Sequence, residues 1–340
     1  MTAALIVRRA GPAMTVQDLG RKGQLVYGLA AGGAADRVAL AEGAALLGQG
    51  LGLAAIEMAG MGGEFEATQD IRIALTGAPM KADLDGATVV WNASYLMAAG
   101  QRLTLGAARS GNYGYLHVGG GIDTKPFLAS RAAHLTAGIG KLIQSGNHLP
   151  VGTDPLLDQT GNVLIPQDRF SGGTVTVLPS VHTAHFPEDV RARFEATAFE
   201  RTPRGNRQGA ELAFEGPPFS TGEQLTILSE CMTVGDIQMT GDGQPFVLLP
   251  ECQTVGGYPR IGTVTPGDLA KVAQATPGTP LRFEFVTHEQ AVAAHRPLET
   301  LRADMARLVQ PLIRDPHRMH DLLSYQLISG AITGWDHIED

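Results

Sequence analysis

The sequence predicts a mainly β protein, with a few short helices and a helical C-terminal tail. Three observations predict it. Short apolar runs follow one another through the first 120 residues, with turns about every 8–12 residues, the spacing of a barrel or sandwich. The 43 glycines in 340 residues exceed average usage. They show no Gly-X-Y period, so they serve many turns rather than a collagen helix. Asp85-Gly86 stands between Lys81–Leu84 and Thr88–Trp91, the composition of a tight hairpin turn.

The elements follow in order. Leu5–Val7 and Met14–Val16 are short strands split by a Gly11-Pro12 turn. Gly33–Leu47 reads as the first helix, with Asp36 in its first turn at the positive end of the dipole and Ala39, Leu40, Ala44 and Leu47 near helical spacing. Strands are expected at Ile56–Met58, Gly63–Ala67, Ile71–Thr76, Arg102–Gly106 and Tyr115–Gly119. Residues 124–170 carry Pro126, Pro150, Pro155 and Pro166 and read as a long connection, which is usually functional or lines an interface. Thr174–Leu178 opens a second β-rich domain. Pro187 starts a helix to about Ala198. Strands follow at Leu225–Leu228, Asp236–Met239, Phe246–Leu249 and Leu281–Val286, with a short helix at Asp268–Gln274. Gly100–Leu105 and Gly278–Phe283 share a Gly-x-x-Leu-x-hydrophobic pattern, a faint echo of duplication. The tail is helical at Glu289–His295, Leu298–Ile313 and His317–Ile328. Leu301, Met305, Leu308 and Leu312 form its apolar stripe. Docking on the body is the default, a partner-binding helix the alternative. The division expected is residues 1–165, 170–295 and 296–340.

Composition narrows the function. A hydrophobic fraction of 44% describes an ordinary globular chain, and a net charge of −8 argues against nucleic acid. No run reaches the ~18–20 apolar residues of a membrane span, and Met1–Ala10 is no signal peptide, so the expectation is a cytoplasmic protein. Cys231 and Cys252 give neither a disulfide framework nor a metal spacing. Cys252 lacks a histidine partner for nucleophilic work. His182-x-x-His185 and His317-x-x-His320 lack a third ligand at a recognisable spacing, so no metal is expected.

Candidate chemistry centres on Gln253-Thr254-Val255-Gly256-Gly257-Tyr258-Pro259, which follows the strand-like Gln244–Pro250. Gln253 offers a carbonyl acceptor and an NH2 donor side by side, which suits an amide, lactam or urea. Gly256 and Gly257 permit close backbone approach, and Tyr258 would wall a pocket. A plain turn between strands is the competing interpretation. Gln238 offers the same chemistry as Gln253. Gln17-Asp18 with Arg21 combines a carboxylate and a guanidinium, either as a site or as a pair that fixes a turn. Gly119-Gly120-Gly121 after a strand is either an oxyanion cradle or a tight turn, with Asp123 as a base or a cap. Arg131 is a clamp for phosphate or carboxylate. Ser130 beside it lacks the Gly-x-Ser-x-Gly context of a hydrolytic nucleophile.

The order of motifs resembles a known family. Val16-Gln17-Asp18-Leu19-Gly20-Arg21, Gly33-Ala34-Ala35-Asp36, Ile56-Glu57, Ala74-Leu75-Thr76-Gly77-Ala78, Tyr115-Leu116 with Gly119–Asp123, Leu128-Ala129-Ser130-Arg131, Asp236-Ile237-Gln238, Asp242-Gly243-Gln244-Pro245 and Gln253–Pro259 are colinear with the biotin-dependent carboxyltransferase family. That family is also called allophanate hydrolase subunit 2 and includes the C-type component of 5-oxoprolinase. The resemblance runs from about residue 5 to about residue 295. It implies two tandem cyclophilin-like β-barrels and a heteromer with a homologous carboxyltransferase subunit, allophanate hydrolase subunit 1-like.

The resemblance also implies an activity: ATP-dependent opening of a small amide or lactam such as 5-oxoproline, with ATP bound by the complex. Asp18 or Asp123 would act as base. Gln238 and Gln253 would orient the amide, and Gln17 belongs to the first signature. Gly119–Gly121 and Gly256-Gly257 would donate to an oxyanion, Arg21 and Arg131 would hold phosphate or carboxylate, and Ser130, Thr254 and Tyr258 would complete the binding set. The alternatives it carries are a carboxyltransferase component, with biotin on another chain or domain, and a regulatory binding protein that catalyses nothing. This chain departs from the family pattern. Tyr113 stands where Arg is common. Asn206 and Glu211 replace an acid and a base. Ala129, Ala132 and Ala133 surround Ser130-Arg131, and Cys252 precedes Gln253 where a polar residue is usual. Charge changes in a pocket change what binds there.

Overall fold

The computed structural model describes residues 3–221 and 228–313. Alternating apolar residues build two antiparallel sheets in the first half. One has the spatial order His148–Pro150, Ala4–Arg9, Glu64–Ala67, Arg102–Ala108, Met80–Leu84 and Ala87–Thr88. The other runs Met14–Gln17, Ala55–Ala59, Tyr113–Val118, Ile71–Gly77 and Ser94–Met97. Leu5, Val7, Phe65 and Leu103 of the first meet Ile56, Ile73, Leu75 and Leu116 of the second in one core. Asp85 and Gly86 both adopt left-handed φ, 51° and 87°, as the hairpin turn requires. The second limb pairs only through Ala87–Thr88, shorter than expected.

The second half closes into a seven-stranded barrel. Its order is Gly173–Leu178, Arg260–Val264, Asp236–Met239, Pro245–Leu248, Gly209–Ala213, Phe199–Gly205 and Pro280–Phe285. The first and last strands pair in parallel, Val175 opposite Phe283, so no edge is left to cap. Phe194, Phe199, Phe219 and Phe283 fill the interior, with ring centroids 5.0–5.8 Å apart. The molecule is thus mainly β, as expected, with barrel closure in the second half and paired sheets in the first.

The helices are few. α1 spans Arg37–Leu47. Asp36 is its N-cap rather than a first-turn residue, and its carboxylate accepts from the Ala39 N–H at 3.1 Å. α2 is Glu188–Ala196, α3 Leu269–Gln274, α4 His288–Ala294 and α5 Leu298–Leu308. α5 docks on the body. Met305 is buried against Ala41, Ala44, Ala45 and Leu47 of α1, with Leu301 packed beside it. Leu308 turns to solvent. After α5 the chain turns extended, and Gln310–Pro311 pairs with Asn162–Val163, which stops the helix short of the expected Ile313. Residues 225–227 of the expected Leu225–Leu228 strand, and the helix at 317–328, lie outside the described residues. Among the described residues no helix is long and apolar enough to cross a membrane.

One buried group gives the fold a pH dependence. His117 is 3% exposed, and its Nε2 lies 2.8 Å from the Thr76 hydroxyl. Its ring covers Gly43 of α1 so closely that a Cβ there would stand 2.4 Å from ring atoms. Burial pushes the imidazole from 6.5 down to about 3. A group whose folded pKa is depressed contributes stability above its unfolded pKa and loses it as pH falls through the folded one. Stability should therefore fall between about pH 6.5 and 3 with a contribution of about 1.4 kcal/mol per pH unit from this residue. Urea titrations should show that His117→Leu flattens this acid limb. An unchanged slope would remove His117 as its source.

Candidate active site between the two halves

The halves are joined by polar side chains buried at their seam. Gln274 on α3 uses its whole amide. Its Oε1 accepts from the Asn112 and Tyr113 N–H groups, each at 2.9 Å, and its Nε2 donates to Asp36 and to the Tyr113 carbonyl, each at 2.8 Å. Beside this seam opens a cavity of about 510 Å³, lined by Glu57 and Tyr113 from the first half and by Arg201, Asn206, Arg207 and Glu251 from the second. A second cavity of about 420 Å³ lies against it, lined by Gln238, Phe246, Leu248 and Gln253. Gly205, Asn206 and Gln208 border both. A strand end therefore partitions two adjoining chambers.

Arg207 organises the first chamber. Its Nε donates to Glu251 at 2.6 Å, its Nη1 to Glu57, and its Nη2 to the Gly33 carbonyl at 2.5 Å. Glu57 also accepts from the Ala35 N–H at 2.8 Å and the Tyr115 hydroxyl at 2.7 Å. Glu251 accepts from the Thr136 N–H at 3.2 Å and faces His134 Nδ1 at 3.8 Å. Burial opposes the Arg207 charge, but Glu57 and Glu251 outweigh it and hold the guanidinium above its ordinary value.

The second chamber carries the amide pair. Gln253 Nε2 donates to Gln238 Oε1 at 2.9 Å. Gln238 sits on the Asp236–Met239 barrel strand and is buried, while Gln253 is exposed. The bond leaves the NH2 of Gln238 and the carbonyl oxygen of Gln253 as a donor group and an acceptor group. If both amides are turned over, one donor and one acceptor still remain. That is the complement of an amide N–H and its carbonyl.

The other predicted residues disperse. Asp18 is buried and fully engaged. It accepts from the Gly20 N–H at 2.8 Å, the Ser130 hydroxyl at 2.6 Å and the Arg131 N–H at 2.6 Å. It ties the first signature to the 130 loop and is no free base. Ser130 spends its hydroxyl on this bond. Arg131 pairs with Asp123 on the surface, and neither lines a chamber. Gln17 donates to Thr15 Oγ1 and the Ala133 carbonyl, and Arg21 to the Ala132 carbonyl. Both are buried against the 130 loop and line neither chamber. Gly119–Gly121 is no oxyanion cradle. Its three N–H groups donate to the Arg72 carbonyl, Gln49 Oε1 and the Val118 carbonyl. A Cβ at Gly119 would stand 1.9 Å from Asp154, so packing accounts for that glycine. Thr254 donates to the Gly28 carbonyl at 3.0 Å. Gly256 sits in a two-residue strand with Val255, paired to Glu230–Cys231, and without a left-handed φ. Gly257 and the exposed Tyr258 continue beyond it and line neither chamber.

Among the departures, Tyr113 and Asn206 line the cavities. Glu211 instead accepts from Thr202 on its own sheet at 2.7 Å. Burial pushes the Cys252 thiol up to about 12, which suits an inert side chain. His182 approaches Glu230 at 3.3 Å. Among the described residues no three His, Cys, Asp or Glu side chains are placed to hold a metal. Residue-level reasoning did not single out Arg201, Arg207 or Glu251. A signal for Glu57 was present: a carboxylate in the middle of the buried run Ala55–Met58 demands a partner.

Fold and cleft define a carboxyltransferase-domain protein. The model of the carboxyltransferase domain, subdomains A and B, matches residues 27–285. The chain belongs to that family. It is 34% identical over 299 residues to the 5-oxoprolinase C-type subunit of Escherichia coli, covering 86% of this chain and 94% of the relative. It is 32% identical over 300 residues to the corresponding 5-oxoprolinase protein of Haemophilus influenzae, covering 87% and 95%. The solved urea amidolyase of Kluyveromyces lactis shares the fold with a TM-score of 0.79 at 20% identity. That likeness covers 93% of this chain but only 21% of the larger one.

Proposed function

We propose that this chain is a subunit of an ATP-dependent hydrolase for a small amide or lactam, with 5-oxoproline as the substrate and glutamate as the product. The observation that carries the proposal is the Gln238–Gln253 pair, which presents one donor and one acceptor to a cavity large enough for such a ring. Two relatives named as 5-oxoprolinase subunits, matched over nearly their whole length, support it. In this account the pair holds the lactam N–H and carbonyl in register, and the gain is positional. Catalytic groups and the ATP site are completed by partner chains, one of them a homologous carboxyltransferase subunit, in the cytoplasm.

A second reading rests on the family itself. The same amide pair suits the ureido ring of a carboxybiotin carried by another chain, since that ring offers the same N–H and carbonyl. Bound there, biotin would supply carboxyl transfer.

The test is 5-oxoproline-dependent ATP hydrolysis by the reconstituted complex. Gln253→Ala and Gln238→Ala should each lower kcat/KM by roughly ten-fold or more, the cost of losing a substrate hydrogen bond. Thermal stability should hardly change for the exposed Gln253. Full activity in both variants rejects the amide pair as the substrate site.

A further inference from the structure

The first chamber contains a guanidinium that the amide-reading account does not use. Arg201 lies in the Phe199–Gly205 strand and is 7% exposed. Its Nη1 is spent on the Ala273 and Ala275 carbonyls, at 2.9 and 2.8 Å. Those bonds clamp it to the end of α3. Its Nε and Nη2 make no hydrogen bond to a carbonyl or carboxylate among the described residues, and no carboxylate forms an ion pair with it there. Glu57 and Glu251, the acids of the same chamber, are both committed to Arg207. The Nε–Nη2 edge lies against Gly205. A Cβ at that position would stand 2.8 Å from Nη2 and 3.1 Å from Nε. Gly205 borders both chambers, so the missing side chain leaves this edge open at the partition between them.

A buried guanidinium with a fixed Nη1 and no carboxylate on its Nε–Nη2 edge matches the two oxygens of a carboxylate. Its orientation is set before any ligand arrives, because the two carbonyls hold the plane. Tyr113 lines the same chamber, and its hydroxyl lies within hydrogen-bonding reach of the Arg201 guanidinium, so a bound carboxylate would meet both groups. We propose that Arg201 is a specificity residue that binds the carboxylate of a small anionic ligand in the cleft between the halves. The inference rests on the preceding one for the class of ligand: Arg201 lines the first chamber and the amide pair the second, and the acid that distinguishes 5-oxoproline from a plain lactam is read at Arg201.

The experiment compares 5-oxoproline with 2-pyrrolidinone, the same ring without the carboxylate, binding to the reconstituted complex by calorimetry. The unaltered complex should prefer 5-oxoproline. Arg201→Gln should cut that preference by roughly 10- to 100-fold, the worth of a hydrogen bond to a charged group, and leave 2-pyrrolidinone binding alone. Because Arg201 also holds α3, Gly205→Ala gives a second route. It leaves the guanidinium present but places a methyl 2.8 Å from Nη2, which displaces that edge, so it too should lower the preference selectively. Gln253→Ala should instead weaken both ligands alike. Should Gln253→Ala leave both ligands unaffected while Gly205→Ala still removes the preference, the amide assignment fails and the carboxylate assignment stands. An unaltered preference in both Gly205→Ala and Arg201→Gln overturns the proposal. So does an unaltered complex with no preference, including one that binds neither ligand.

Discussion

Replacing Arg169 by methionine is expected to lower the unfolding free energy by about 3–5 kcal/mol, the cost of breaking a buried ion pair from one side. Arg169 closes the long connection between the halves. Its Nε donates to Asp36 at 2.6 Å, and its two terminal nitrogens grip Glu42 at 2.8 Å each. All three side chains are buried, and both carboxylates are 0% exposed. Burial already pushes Glu42 up despite the attraction of Arg169, so removal of the cation drives it further toward the protonated form. A group whose folded pKa is raised contributes stability below its unfolded pKa and loses it as pH rises through the folded one. The deficit of Arg169→Met should therefore be small at acid pH and grow toward neutrality in urea titrations. Glu42→Gln in the same background should recover part of it. A deficit independent of pH would place the loss in packing rather than in the stranded carboxylate.

Arg207→Met is the second large effect. It strands Glu57 and Glu251, each 2% exposed, and releases the Gly33 carbonyl from the opposite half. A similar loss of about 3–5 kcal/mol is expected, read as a lower thermal midpoint. Activity of the reconstituted complex should fall further than stability explains, because this guanidinium holds the strand end that partitions the chambers. Arg207→Lys should recover little. A lysine is one point charge and cannot reach three acceptors in one plane. If Arg207→Lys restores both stability and activity, the fork geometry is not what matters.

Much of the fold was legible because local chemistry and burial agree there. Met14–Val16, Ile71–Thr76 and Asp236–Met239 are short apolar-rich runs bounded by turn residues, and each is a strand. Phe199–Gly205 and Arg260–Val264 were not legible. Glu200, Pro203, Arg204 and Gly205 in the first, and Arg260 and Gly262 in the second, break the apolar alternation. Their pairing is supplied by barrel closure, which no local window contains. The tail helix α5 was readable from its stripe, but its end was set by distant pairing at Asn162–Val163.

The site divides the same way. Gln253 and Gln238 could be paired on chemistry, since two amides suit one planar ligand, and their side chains do meet. Gly119–Gly121 looked like a cradle only because a sequence does not display which N–H groups are already donated. Asp18 misled for the same reason, as its three donors come from a local turn and a loop 112 and 113 residues away. The Glu57–Arg207–Glu251 arrangement joins residues 150 and 44 positions apart, and only the seam between the halves brings them together.

We propose that this chain reads a lactam as part of a larger enzyme. The most direct test is 5-oxoproline-dependent ATP hydrolysis and glutamate release by the complex with and without this chain, and with Gln253→Ala in its place. Activity should disappear when the chain is omitted and fall at least roughly ten-fold with the variant. Activity that persists without the chain, or is untouched by Gln253→Ala and Gln238→Ala, would contradict it.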